Sequence, residues 1–272
     1  MVHSSTHTLT GWFMRNVFAV AIAVLLLNLQ TLQAGPPFVT DDPEPVELHH
    51  WEFYVASMHT KMRDGWSGTA PHVELNYGVV TNVQLHLIAP LSHNSPKDDI
   101  SHYGYGDTEF GIKFRFIQES EHRPQVGIFP MLEIPTGRES YGLGNGHPQV
   151  FLPVWIQKAF DKWTVYGGGG YGINPGVGNQ NWGYAGAVLQ NQVTTNCLVG
   201  GEVYHRTSLA QDGRGDTAFN IGTVFDLTEN HHILFSAGRS IDGPTQFQVY
   251  LAYQFTSGPE FFHSFGGLFN RH

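Results

Sequence analysis

The sequence predicts an all-β protein, a closed antiparallel transmembrane β-barrel of about twelve strands. Three observations predict it: ten-residue segments in which apolar and polar residues alternate, connections that alternate between short and long, and aromatic residues gathered near segment ends. Composition agrees without deciding. Only 14% of the 272 residues are charged, against about a quarter in a soluble domain, and there are 32 glycines and 13% aromatics. One large β domain, two small ones or a secreted β-sandwich would fit those numbers. The formal net charge of −9 leaves no basic face to neutralise phosphates, which argues against nucleic acid as a partner.

Residues 1–34 read as a signal peptide. Arg15 ends a polar stretch, and Val17 to Leu27 is an apolar run too short to span a bilayer as a helix. Leu32-Gln33-Ala34 then offers a small residue at the cleavage point before Gly35. An uncleaved anchor is the alternative, disfavoured by the break at Asn28. Cys197 is the only cysteine, so neither an intrachain disulfide nor a Cys-based metal site is available. Stability must come from the fold, and a closed barrel pairs every backbone group around its ring.

Residues 35–47 carry Pro36, Pro37, Pro43 and Pro45 among Asp41, Asp42, Glu44 and Glu47. That is too much proline for a strand. The segment is either a periplasmic leader or a plug. As a plug it would turn back into the bore, reaching inward at ~3.3 Å per extended residue. Asp41 and Asp42 could then pair with Lys113 or Arg115, and the glycine face of 163–173 could accept the backbone.

The barrel is read over 48–255, with strands at 48–58, 71–80, 83–90, 107–117, 125–135, 149–160, 163–173, 181–191, 196–206, 217–227, 231–241 and 245–255. Thr108 to Ile117 shows the pattern best. Thr108, Phe110, Ile112, Phe114 and Phe116 share one face, and Glu109, Gly111, Lys113 and Arg115 share the other. Lipid on one side and a wet lumen on the other require this alternation. An arginine at Phe110 is therefore expected to block assembly, and one at Gly111 to be better tolerated. Short connections fall at Thr81-Asn82, 118–124, Asp161-Lys162, 192–195 and 228–230. Longer ones fall between them at 59–70, 91–106, 136–148, 174–180 and 207–216, while 242–244 is short for its position. Tight periplasmic turns and longer outer loops give this alternation, and Greek-key crossings do not.

Trp51, Phe53, Tyr77, Phe114, Phe116, Trp163, Phe225, Tyr253 and Phe255 lie near the short-turn ends, and Tyr171, Trp182, Tyr184 and Phe247 near the long-loop ends. Two aromatic girdles at two interfaces are expected of a barrel in lipid. The final strand alternates Phe247, Val249, Leu251, Tyr253 and Phe255 with polar or small residues. It resembles the C-terminal sorting signal of outer-membrane barrels, which implies the barrel-assembly machinery as a partner. A glycine-rich apolar tail, 256–272, follows it.

The inner face is polar: Glu52, His72, Glu74, Glu109, Lys113, Arg115, Glu133, Glu202 and Tyr204. These residues either line a selective pore or pair with one another and brace a filled barrel. Lys113 and Arg115 are expected against some of Glu74, Glu109 and Glu133 on neighbouring strands, because same-face opposite charges are within reach. Gly167 to Gly170 with Gly172 is no phosphate loop, since neither a helix nor Lys-Ser/Thr follows. In His49-His50 and His231-His232, adjacent strand residues point to opposite faces, so neither pair chelates from one side, and no metal or other cofactor is expected. Ser57, His59 and His205 could serve a lipid hydrolase, but no hydrolase motif surrounds them, so an enzyme is not expected.

Gly35 to Pro43 (GPPFVTDDP), Glu74 to Gly78 (ELNYG), Gly104 to Thr108 (GYGDT), Pro130 to Gly137 (PMLEIPTG) and Gly200 to His205 (GGEVYH) carry a resemblance across the mature chain. The chain resembles the bacterial family of outer-membrane transporters named for the meta-pathway of phenol degradation. The resemblance implies a barrel in outer-membrane lipid that moves a small-molecule solute; the solute itself does not transfer. The leading expectation is thus a passive channel or carrier with a polar lumen. The alternatives are a structural or adhesive barrel with a filled lumen, and an outer-membrane lipid hydrolase.

Overall fold

The computed structural model describes residues 36–259. The signal peptide expected at 1–34 and all but the first residues of the tail 256–272 lie outside the described residues. The described chain forms one antiparallel sheet of fourteen strands: β1 (Trp51–Met62), β2 (Gly65–Val80), β3 (Val83–Pro96), β4 (His102–Tyr105), β5 (Thr108–Ile117), β6 (Gln125–Ile128), β7 (Met131–Ile134), β8 (Gln149–Phe160), β9 (Trp163–Ile173), β10 (Trp182–Thr194), β11 (Cys197–Arg206), β12 (Asp216–Asp226), β13 (His231–Asp242) and β14 (Phe247–Ser257). The only helix among them is a 3₁₀ turn at Glu139–Tyr141.

The sheet closes on itself. β1 pairs with β14 from Trp51↔Ser257 to Lys61↔Phe247, so first and last strands lock in one register. The ring has twelve staves. β6 and β7 share one stave between β5 and β8, and β4 only pads the outer end of β3. The split stave was expected as a continuous strand, 125–135. Pro130 has no N–H to donate and breaks it, while its carbonyl still accepts from the Ile112 N–H at 3.1 Å.

Two expected loops are also strand. Where the sequence predicts a loop at 59–70, β1 and β2 continue to a tight turn at Arg63-Asp64, with Met62 opposite Gly65. Within 91–106, β3 runs on to Pro96 and β4 folds back onto it. Both stretches lack clean apolar alternation because they rise past the lipid-facing band. The first strand starts at Trp51 rather than 48, and Leu48 makes only an isolated bridge to Gly78.

Period two sorts the side chains as the alternation requires. On β5, Phe110, Ile112, Phe114 and Phe116 are exposed on the outer wall, while Gly111 and Lys113 are buried within. Two assignments need correction. Trp182 and Tyr184 belong to no outer girdle; they point inward, Trp182 stacked on Phe151 and Tyr184 stacked on Tyr204 and edge-to-face with Phe151 and Trp155. They share the phase of Val188 and Gln190, which are buried on the inner face. Gly111 has no spare room either, because a Cβ there would press on the ring of Phe129.

The cluster of Phe129, Trp155, Tyr184, Tyr204 and Ala218, with Met131, Phe151 and Trp182 against it, fills part of the bore. The inward glycines of β9 make it possible. A Cβ at Gly168 would meet Trp155, one at Gly170 Phe151, and one at Gly172 Trp182. The glycine face therefore accepts aromatic rings from neighbouring staves, not the N-terminal segment. A planar ring lying flat on a strand needs the close approach that only glycine permits.

Phe110→Arg should prevent assembly, since a cation at lipid depth costs roughly 2–4 kcal/mol. Gln149→Arg, placed opposite Glu133 in the register, should still assemble. Heat-modifiability on gels measures both, and equal behaviour would contradict the facing assignment.

Candidate functional site

Residues 36–47 run through the inside of the ring. Their prolines keep them out of the sheet, so wall side chains must satisfy their backbone. The Ser236 hydroxyl donates to the Pro37 carbonyl at 2.5 Å. Phe38 packs with Tyr166 and Val188, its ring within 3.1 Å of where Cβ atoms on Gly200 and Gly222 would stand. The amides of Val39 and Thr40 donate to the two oxygens of Glu202, each at 2.9 Å. The Thr40 hydroxyl shares a 2.8 Å hydrogen bond with Tyr184, over Gly186, where any side chain would overlap it. Thr40 and Asp42 are 0% exposed.

The acidic half of the segment meets the only two cations among the nine inner-face residues named from the sequence. Lys113 Nζ lies 2.9 Å from Asp41 Oδ1 and 3.8 Å from Asp42 Oδ1. Arg115 reaches Glu44 Oε1 at 3.4 Å, and Gln125 and Gln157 donate to Glu44 Oε2 at 3.1 and 3.2 Å. Pro43 sits over Gly127, and the Val46 amide donates to Gln84. The segment thus touches β3, β5, β6, β8, β9, β10, β11, β12 and β13 in crossing the bore.

These contacts correct the expected cross-strand pairs. Lys113 and Arg115 do not sit against Glu74, Glu109 or Glu133. Instead His86, on β3 between β2 and β5, takes two of those acids: its Nε2 is 3.1 Å from Glu109 and its Nδ1 3.6 Å from Glu74. Asn76 steadies both sides, donating to Glu74 and pairing with His86 Nδ1. Glu133 accepts from Asn145 of the 135–148 loop. The cations bond acids seventy residues away because the segment brings carboxylates to their own level in the bore.

The other residues are placed as follows. Glu52 accepts from the Tyr54 hydroxyl at 2.8 Å. His72 pairs with Thr69 at 2.7 Å. Tyr204 donates to Gln248 at 3.0 Å. Sequence reasoning missed His86, Asn76, Gln84, Gln125 and Gln157 as partners, although each lies on the inner phase of its strand. Inner phase alone marks these side chains, since uncharged amides and a histidine carry no charge pattern along the strand.

Ser57 and His59 lie on β1 and His205 on β11, with β12, β13 and β14 between them. His59 pairs with His93 and His205 with Thr217. Among the described residues no group of three or more His, Cys, Asp or Glu could hold a metal ion. His49 and His231 instead bond Tyr77 and Tyr253, and His232 bonds Asp226.

Residues 56–255 match the family described as the MetA-pathway of phenol degradation. No curated protein matches the chain in sequence. Among solved structures the fold is similar to the COG4313 outer membrane channel from Pseudomonas putida F1, with a TM-score of 0.70 at 17% identity, over 83% of this chain and 100% of that one. It is also similar to the NanC porin, with a TM-score of 0.54 at 6% identity, over 75% and 98%. The KdgM porin gives 0.51 at 10% identity, over 74% and 98%.

Lys113→Met should destabilise the barrel by roughly 3–5 kcal/mol, because it strands buried carboxylates without their partner. Adding Asp41→Asn and Asp42→Asn should restore most of the loss. Urea unfolding in lipid vesicles checks the cycle, and additive losses would show that the pairs do not interact.

Proposed function

The chain belongs to this phenol-degradation family, and we propose that it is an outer-membrane channel through which small molecules pass passively. Glu52, His72, Glu74, Glu109, Lys113, Arg115, Glu133, Glu202 and Tyr204 line its path, and residues 36–47, with Asp41 and Asp42, form its plug. The fold is that of outer-membrane channels and porins, which supports the outer membrane as its location. In this reading the signal peptide exports the chain, the assembly machinery inserts the barrel, and outer-membrane lipid covers its apolar wall.

One observation carries the proposal: the bore is crossed by a segment that belongs to no strand. It is held by side-chain hydrogen bonds and ion pairs, which water or a solute can replace one at a time. A wall strand could not leave without opening the ring. Ordering the dozen residues costs about 1–2 kcal/mol each, and the prolines lower that cost by stiffening the free chain. The plugged and unplugged states are thereby brought close enough to exchange.

The buried aromatic cluster favours a second reading, a structural barrel whose filled bore never conducts. Conductance in planar bilayers separates the two. Gly186→Val, which displaces Thr40, and deletion of 36–45 should each raise single-channel conductance several-fold. Correctly folded variants that stay closed, with no solute flux, would leave the structural reading standing.

A further inference from the structure

We infer that the wall carries a carboxylate-binding site, built from Lys113, Arg115, Gln125 and Gln157, which the chain's own Asp41 and Glu44 now fill and which an organic polycarboxylate solute can take over. The inference deepens the channel reading, on which its consequence for transport rests; the site itself stands on geometry alone.

The donors converge as a receptor for an anion would. On Glu44, the Arg115 guanidinium serves one oxygen while the amides of Gln125 and Gln157 serve the other. Three strands, β5, β6 and β8, supply these groups, and all are side-chain donors. Arg115 is held independently of its anion: Asn82 Oδ1 accepts from its Nε at 3.2 Å and from its second terminal nitrogen at 3.0 Å, and Gln125 Oε1 accepts at 2.9 Å. A guanidinium fixed in this way keeps its fork aimed into the bore when Glu44 leaves. Lys113, over the Phe129 ring at 4.9 Å, is a second anion point.

The present occupant fits imperfectly: Asp42 Oδ2 is buried without a hydrogen-bond partner among the described residues, a condition that costs free energy. The groups that Asp41 and Glu44 present are carboxylates, which a solute reproduces atom for atom. When the segment withdraws, two cations remain on the inner wall toward its short-turn end without their anions, and leaving them unpaired is costly. A solute with two or more carboxylates, spanning at most the ~10 Å between Asp41 and Glu44 in an extended chain, offsets that cost. A neutral or cationic solute does not.

Binding in detergent solution tests this without requiring conductance, so its failure is distinct from failure of the channel reading. Succinate is titrated calorimetrically into the full chain, with its neutral diamide as control. Glu44→Gln, and the triple variant Asp41→Asn, Asp42→Asn, Glu44→Gln, weaken the internal competitor. Each should bind succinate at least about tenfold more tightly than the native chain, as expected when the binding-competent fraction rises. Adding Lys113→Met or Arg115→Met should abolish the gain. Should the triple variant not assemble, Glu44→Gln gives the same comparison. Heat-modifiable variants that bind succinate no better than the diamide would overturn the site.

Discussion

Hydrocarbon offers a backbone N–H nothing to donate to, and the rest of this structure follows from that constraint. The β1–β14 register meets it by leaving the sheet no edge. Closure then fixes the strands' two faces, because alternate side chains must meet lipid or the bore. Even the broken stave keeps to the rule: Pro130 donates nothing, and its carbonyl still takes the Ile112 N–H.

A closed ring of twelve staves encloses space that must be wet or filled, and here two devices fill it. In one, aromatic rings from β8 and β10 lie over the glycines of β9. In the other, an unpaired segment of the same chain lies over Gly127, Gly186, Gly200 and Gly222. Glycine does the same work in both places, allowing a bulky group to approach the wall backbone. The two fillings differ in how they are held. The rings belong to wall strands and cannot leave. The segment is attached to the wall through polar side chains, through the packing of Phe38 on Tyr166 and Val188, and where it leads into β1.

The polar half also carries the charges. Lys113 and Arg115 face inward at low exposure and would be costly alone. The segment supplies their carboxylates, so charge compensation and filling of the bore are one interaction. Meanwhile His86 draws Glu74 and Glu109 together on the neighbouring stretch of wall, Glu109 on β5 itself, and His86 and Lys113 both meet the Phe129 ring. The interior thus holds two adjoining polar groupings, one completed by the segment and one within the wall.

Much of the fold was legible beforehand, and the reason is local. Period-two alternation in Thr108 to Ile117 told which side chains meet lipid, since each residue's face depends only on its neighbours along the strand. It failed where a second local cue misled: Trp182 and Tyr184 resembled girdle residues by position near a strand end, yet their phase pointed inward. The prolines of 36–47 likewise excluded a strand by themselves. What the sequence could not determine was which groups meet across the bore. Lys113 had same-face acids on adjacent strands, but its partners stand about seventy residues earlier, on a segment with no register to count. Distances through the lumen are set by ring closure and by how the interior fills, and no spacing along the chain encodes them. The sequence by itself determined the barrel and its two faces. Only the tertiary structure decided that the glycines of β9 hold aromatic rings and that the chain's own acids occupy the cations, because both are contacts between staves that meet only once the ring has closed.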